Sequence, residues 1–257
     1  MQPPSDWLVP DWPAPPSVRA LFTSRAGGVS AAPCDSFNLG DHVRDDPAAV
    51  ALNRQRLAAV IGVRPVFLQQ VHGTAVAELD AQTPDGTVAD ACLSTQTGVA
   101  CAVMVADCLP VLFTNAAGTA VAAAHAGWRG LAGGVLEACL ERFTQVAPAS
   151  GEVLAWLGPC IGPRAFEVGD EVRAAFLARQ PEAAACFEAL PQAGKHLANL
   201  PQLARLRLQA FGITQVHGND GTPPWCTVTQ SARFFSHRRD AARLGSTGRM
   251  GACIWRV

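Results

Sequence analysis

The sequence predicts an α+β fold, and three observations carry that reading. Apolar runs short enough for strands recur through the middle of the chain, and those at 99–106 and 119–124 are apolar on both faces. Segments with helical periodicity lie among and after them. The two kinds of element do not alternate with a regular βαβ rhythm, which favours α+β over a doubly wound parallel sheet. With 257 residues, 49% of them hydrophobic and 16% charged, the chain is large and apolar enough to bury its own core, so disordered and fibrous architectures are excluded.

From the N-terminus, residues 1–19 hold six prolines and two tryptophans. Proline fixes φ and removes a backbone donor, so an irregular arm anchored by its tryptophans is expected there. Residues 20–257 contain no internal repeat and no linker at which to divide them, and are expected to form one domain. A short strand at 20–24 leads into Arg25-Ala26-Gly27-Gly28-Val29-Ser30, a loop whose glycines supply backbone freedom. Asp46-Pro47 opens a helix that runs to Ile61. Aspartate caps its free N–H groups, proline fits the first turn, and Gly62 ends it. Strands follow at 66–70, 75–79, 99–106, 109–113 and 119–124, with Asn115-Ala116-Ala117-Gly118 as a hairpin turn. Helices are predicted at 131–146, 171–180 and 197–211, and strands at 153–157, 213–217 and 253–256.

A net charge of −1 argues against nucleic acid as the main partner, because that binding rests on a basic surface that neutralises phosphates. A small substrate is expected instead, and no feature identifies a protein partner. No apolar run reaches the length of a membrane span and no basic-then-apolar leader is present, so a cytoplasmic protein that contacts no membrane is expected. The nine cysteines are an odd number in a chain too large to need disulfide staples, and are expected to be reduced. Of the 20 basic residues only Lys195 is lysine, so a single arginine carries little weight by itself.

Three metal-competent residues stand at the ends of apolar strands: His72 in Gln70-Val71-His72-Gly73, Cys108 in Ala106-Asp107-Cys108-Leu109-Pro110, and His125 in His125-Ala126-Gly127-Trp128-Arg129-Gly130. Two imidazoles and a thiolate suit zinc, and three protein ligands leave a fourth tetrahedral position for water or substrate. The separations match no zinc finger, and core histidines beside an inert buried thiol are the plain alternative. Asp107 is a candidate acceptor for an imidazole N–H, which would fix the tautomer that ligates; a turn or cap role competes with it. Gly127 and Gly130 flank the start of a helix whose free N–H groups would favour an anion.

Together with Gly158-Pro159-Cys160-Ile161-Gly162, Phe234-Phe235-Ser236-His237-Arg238-Arg239-Asp240 and Thr247-Gly248-Arg249, these motifs resemble the YfiH, or laccase-domain, family, in the family's order from about Phe22 to the C-terminus. The resemblance implies a single-domain layered α/β/β/α sandwich and a zinc site at His72, Cys108 and His125, which are also its catalytic positions. It further implies phosphorolysis of adenosine, inosine or methylthioadenosine and deamination of adenosine, with a purine nucleoside and phosphate as the bound partners. The chain departs from the family at His237 and Phe166, where tyrosine is common.

Zinc lowers the pKa of a bound water to about 7, which suits attack on purine C6. Phosphorolysis needs an oriented phosphate, for which an arginine fork is the expected clamp. Arg25 is the candidate, because Gly27 and Gly28 allow close backbone approach. Ser36 and Asn38 are candidates for ribose or base contacts, and turn capping explains them nearly as well. Arg129 belongs with six arginines crowded into 233–256 against the single acid Asp240, an excess that favours an anionic ligand, a buried charge network or a solvated basic face. Copper is a weaker expectation than zinc: six histidines are too few for a four-copper laccase, and no motif places one of the three methionines as an axial ligand. Two other classes stay open. Cys108 with a histidine base would make an amide hydrolase acting on a cell-wall precursor. A fourth ligand from Cys160 or Cys226 would instead make the zinc structural, in a nucleotide-binding or sensing module.

Overall fold

Period-2 alternation along the central strands sends their side chains into separate cores, and this division sets the architecture. The computed structural model describes residues 3–148 and 151–257. Its four-stranded sheet runs in the order β1 (Val18–Phe22), β13 (Met250–Arg256), β5 (Val99–Val105) and β2 (Arg64–Phe67). Its six-stranded sheet runs β12 (Gln215–Gly218), β8 (Val153–Leu157), β6 (Leu109–Asn115), β7 (Val121–Ala126), β4 (Ala91–Ser94) and β3 (Val76–Glu78). In β5, Val99, Cys101, Val103 and Val105 face the space between the sheets, while Ala100, Ala102 and Met104 face outward. In β6, Leu112 joins the inner core, while Val111 and Phe113 join the outer one.

Helices close the two outer faces. α1 (Pro47–Ile61) packs Leu57 and Ile61 against Phe67, Ala102 and Trp255 of the smaller sheet. α3 (Val135–Val146) and α5 (Leu200–Ala210) cover the larger one through Cys139, Leu140, Phe143, Leu203 and Leu208. The layers are therefore α/β/β/α, as the family resemblance implied. Asp46 caps α1 through the Ala48 amide and Gly62 ends it at φ 75°, both as the sequence predicts.

The differences from the predicted elements have local causes. The helix expected at 131–146 is two helices, α2 (Trp128–Gly133) and α3, because Gly134 takes φ 104° between them. The helix expected at 197–211 starts at Leu200, since Asn199 caps it and the residues before pair in a sheet. That sheet has three strands, β10 (Phe187–Ala189), β11 (Lys195–Ala198) and β9 (Glu167–Gly169), leading on to α4 (Asp170–Leu177), and its strands are too short to show a period. β4 and α6 (His237–Leu244) also escape the sequence reading. In the N-terminal arm, Trp7 is buried against Phe37 and Leu8 bridges Phe22, but Val18 and Arg19 already pair with β13. Residues 1 and 2 of that arm lie outside the described residues.

The antiparallel register of β6 and β7 sets Pro110 opposite His125 and Leu109 opposite Ala126. The residues just before β6 and at the end of β7 therefore meet at one sheet edge, where the loop after β2 also arrives.

Leu112 is fully buried between the sheets. Leu112→Ala is expected to lower unfolding stability by about 2–5 kcal/mol, read from the shift of the urea midpoint at unchanged slope.

Candidate active site and metal centre

His72, Cys108 and His125 converge at that edge. One potential ligand atom from each lies within 4.8 Å of the other two. Cys108 Sγ is 3.8 Å from His72 Nε2, a span that one ion with bonds of about 2.3 Å to sulfur and about 2.0 Å to nitrogen can bridge. The imidazole rings meet edge to face, with centroids 4.8 Å apart. Gly127 makes the convergence possible: a Cβ there would lie 2.9 Å from both Cys108 Sγ and His72 Cδ2.

A buried carboxylate organises the set. Asp90, which directly precedes β4, is fully buried. Its Oδ1 lies 2.9 Å from His125 Nδ1 and accepts from the His72 amide at 2.9 Å. Its Oδ2 accepts from the Val71 amide at 3.1 Å and from Gly73 at 2.7 Å. These bonds fix the His125 tautomer with the proton on Nδ1, leaving the Nε2 lone pair for a metal. They also hold His72 in the left-handed region, at φ 61°. Burial pushes the Asp90 carboxyl up, but the His125 bond and the loop amides outweigh it and hold the group below the usual 3.8. Gln70 pins the same loop to β5, donating to Met104 O at 2.8 Å and accepting from Met104 N at 2.7 Å.

The protein's own charges favour a thiolate–imidazolium pair. Burial pushes the Cys108 thiol up, but the charge of His125 and hydrogen bonds to both histidines bring it down to about 6. Burial pushes His125 down, and the Cys108 thiolate with Asp90 raises it to about 9.

Asp107 does not serve an imidazole. Its carboxylate takes the Thr227 hydroxyl and, at 2.6 Å, the Arg238 amide in the first turn of α6, while Ser236 caps that helix through the Arg239 amide. Its role is thus the cap, and Asp90 holds the position beside the histidine. The signal for Asp90 was faint, a lone acid ahead of a four-residue strand without a β-branched residue.

The three residues open into a cavity of about 360 Å³, with walls that include Met104, Trp128, Ile161, Phe166, His42, His237, Arg238 and Arg249. Arg25 is elsewhere, in a separate shallow concavity with Ser36, paired with Asp35 at 3.2 Å. Ser36 Oγ accepts from the Gly28 amide. Buried Asn38 bonds Gly40 O, Asp45 and the amides of Gly40 and Arg249. Arg129 is exposed and stacks on Trp128, its guanidinium carbon 4.4 Å from a ring centroid, so it backs a cavity wall. Cys160 accepts from Asn219 and Cys226 from the Gly162 amide, and neither joins the metal-competent group. Among the described residues His42, His196, His217 and His237 form no second such group, so the donors fit one ion and not a multicopper cluster.

A family model described as multi-copper polyphenol oxidoreductase laccase matches residues 19–257. The chain is 52% identical over 250 residues to a protein of Pseudomonas aeruginosa named purine nucleoside phosphorylase, covering 97% of this chain and 98% of that one. It is 50% identical over 255 residues to the purine nucleoside phosphorylase YfiH of Escherichia coli, covering 98% and 100%. Among solved structures, the Neisseria meningitidis protein NMB0706 superposes with TM-score 0.90 at 48% identity, covering 98% and 99% of the two chains. YlmD of Geobacillus stearothermophilus superposes with TM-score 0.88 at 31% identity, covering 100% and 98%.

Asp90→Asn is expected to weaken metal binding about 10- to 100-fold, measured by competition with a chromogenic chelator. Thiol alkylation by iodoacetamide in chelator-treated protein is expected to rise with a midpoint near pH 6, and a midpoint near 9 would contradict the pairing with His125.

Proposed function

From the premise that the chain belongs to the YfiH, or laccase-domain, family, we propose that it is a zinc-dependent purine nucleoside phosphorylase of the cytosol that also deaminates adenosine. The single observation that carries this reading is the convergence of His72, Cys108 and His125 in the lining of a cavity with aromatic walls. The names of its relatives supply the substrate class.

Zinc held by those three residues would supply Lewis acidity and an activated water. The protein's own part is to bind and orient. Trp128 and Phe166 offer flat apolar faces for the purine, with Arg129 stacked on Trp128 and Arg238 lying over Phe166. In phosphorolysis an oxygen of phosphate bonds to ribose C1′ as the bond from C1′ to N9 breaks. Its electron pair leaves with the purine, which takes up a proton. His42 and His237 are the cavity imidazoles free for that proton, because His72 and His125 serve the metal. Burial and the Arg249 charge pull the His42 pKa down, which disfavours its holding that proton and leaves His237 as the imidazole to supply it. In deamination a water oxygen bonds to C6 of adenosine and ammonia leaves. Adenosine, inosine and methylthioadenosine share the purine and C1′, which is why one cavity serves all three.

The thiolate–imidazolium pair favours a second reading, Cys108 as the nucleophile of an amide hydrolase that cuts a cell-wall precursor. One sulfur cannot ligate zinc and attack a carbonyl at once. The module with structural zinc gains no fourth donor from Cys160 or Cys226.

Protein purified without added zinc is expected to carry about one metal per chain by mass spectrometry. Given inosine and phosphate, it should yield hypoxanthine and ribose 1-phosphate; given adenosine alone, inosine. Cys108→Ala should lose metal and both activities together while keeping its circular dichroism spectrum. Activity that survives removal of the metal by a chelator from the wild-type chain favours the thiol mechanism.

A further inference from the structure

The cavity holds a charge for which the purine has no use. Of its lining residues, Asp107 is the sole carboxylate, and both its oxygens already accept from Thr227 and from the Arg238 amide. Two guanidinium groups line it against that one acid. Arg238 is drawn to the rim, where it donates to Glu167 O at 3.0 Å and lies over Phe166.

Arg249 is built in. Its amide donates to Asn38 Oδ1 at 2.8 Å and its carbonyl accepts from Leu39 N at 3.1 Å, which ties β13's approach to the 38–40 turn. Its stem runs over Gly40, where a Cβ would sit 2.7 Å from Arg249 Cγ. Its Nη1 donates to Thr247 O at 2.9 Å and Gly248 O at 3.2 Å. Among the described residues it has no ion pair, and its Nε and Nη2 have no hydrogen-bond partner. The other arginines near the site are engaged: Arg239 grips Asp240 and the carbonyls of Thr227, Val228 and Phe234, and Arg25 grips Asp35. Burial lowers the Arg249 pKa, the direction expected of a cation that lacks a full counter-charge. A held guanidinium with open donors, facing a cavity that needs an oxyanion, suits two-point recognition of a tetrahedral anion.

We propose that Arg249 is the phosphate-binding residue of this site, its guanidinium seating the attacking orthophosphate beside the His72–Cys108–His125 cluster while the aromatic walls hold the purine. The inference rests on the phosphorolysis reading for its choice of anion, and it moves the phosphate clamp from Arg25, expected from sequence, to Arg249. Asn38 and Gly40 thereby become positioning residues for it, one fixing its backbone and the other leaving room for its stem.

The test uses the metal-loaded chain, with inorganic phosphate as the probe in calorimetric titration and inosine phosphorolysis as a separate readout. Arg249→Met, which keeps the stem over Gly40, should weaken phosphate binding and raise the KM for phosphate about 10- to 100-fold, with metal content unchanged. Arg249→Lys, which keeps the charge and loses the fork, should fall between that variant and wild type. Gly40→Ala displaces the guanidinium without removing it, so a raised phosphate KM there supports the seat even if Arg249→Met fails to fold. Wild-type phosphate affinity in Arg249→Met, or lost metal with phosphate binding intact, would overturn the proposal. A wild-type chain that binds phosphate through Arg249 yet frees no base from inosine would retain the seat and remove the phosphorolysis reading.

Discussion

A fully buried carboxylate at Asp90 is the interaction on which the site depends. An isolated charge in that place would cost several kcal/mol or would neutralise itself by taking a proton. Here it accepts from three consecutive amides of the 71–73 loop and from one imidazole, so nearly all its lone-pair capacity is filled. The bonds work in both directions. The loop amides stabilise the carboxylate, and the carboxylate holds a loop whose histidine occupies a backbone region that residues other than glycine rarely adopt. One side chain thereby sets the orientation of one candidate ligand and the tautomer of another. The surrounding fold supplies its address: β4 lies beside β7, so the residue that leads into β4 meets the residue near the end of β7, and Asp90 O accepts from the His125 amide at 2.7 Å.

How much of this was legible in the sequence depended on whether an element is specified locally. α1 was readable to the residue, because aspartate, proline and glycine each act on their own neighbours. β5 and β6 were readable because they are buried on both faces and long enough to show it. β4 has only four residues, and alanine, cysteine and serine fill three of its places; its strand character comes from being sandwiched between β7 and β3. With β4 unseen, Asp90 had no address, and the neighbouring acid in the sequence, Asp107, took its expected role. α6 was hidden for a related reason. Its face is largely charged and its start is set by Ser236 and by Asp107, which lies far away along the chain. The three candidate ligands were visible as residue types at strand ends. Their meeting was not, because it depends on the register of β6 against β7 and on the missing Cβ of Gly127.

The arginines show the same limit from another side. In a chain with a single lysine, arginine fills every basic role, and the crowd at 233–256 has no common purpose. Arg239 builds the start of α6, Arg233 stacks on Phe234, and Arg256 bonds the carbonyls of Gly118 and Thr95. What separates Arg249 from them is not its type or its motif but the set of its partners, which the fold and not the local sequence decides.

The motifs themselves divide the labour in a way that residue identity alone would misassign. In each of the three metal-competent motifs one residue offers the ligand atom, and its neighbours serve to place it or to line the cavity. Gln70 locks to β5, and Gly130 lets the 71–73 loop pass, because a Cβ there would lie 2.9 Å from Gly73 O. Asp107 ties the turn before Cys108 to α6, and its carbonyl takes the Ile161 amide, which brings the 158–162 segment to the cavity wall. Gly127 clears space and Trp128 forms wall. Because each support reaches a different element, the donor set is braced from β5, from α6 and from the six-stranded sheet at once. Preorganisation of that kind is what a metal centre with an open coordination position requires, since its geometry must hold while the fourth ligand exchanges.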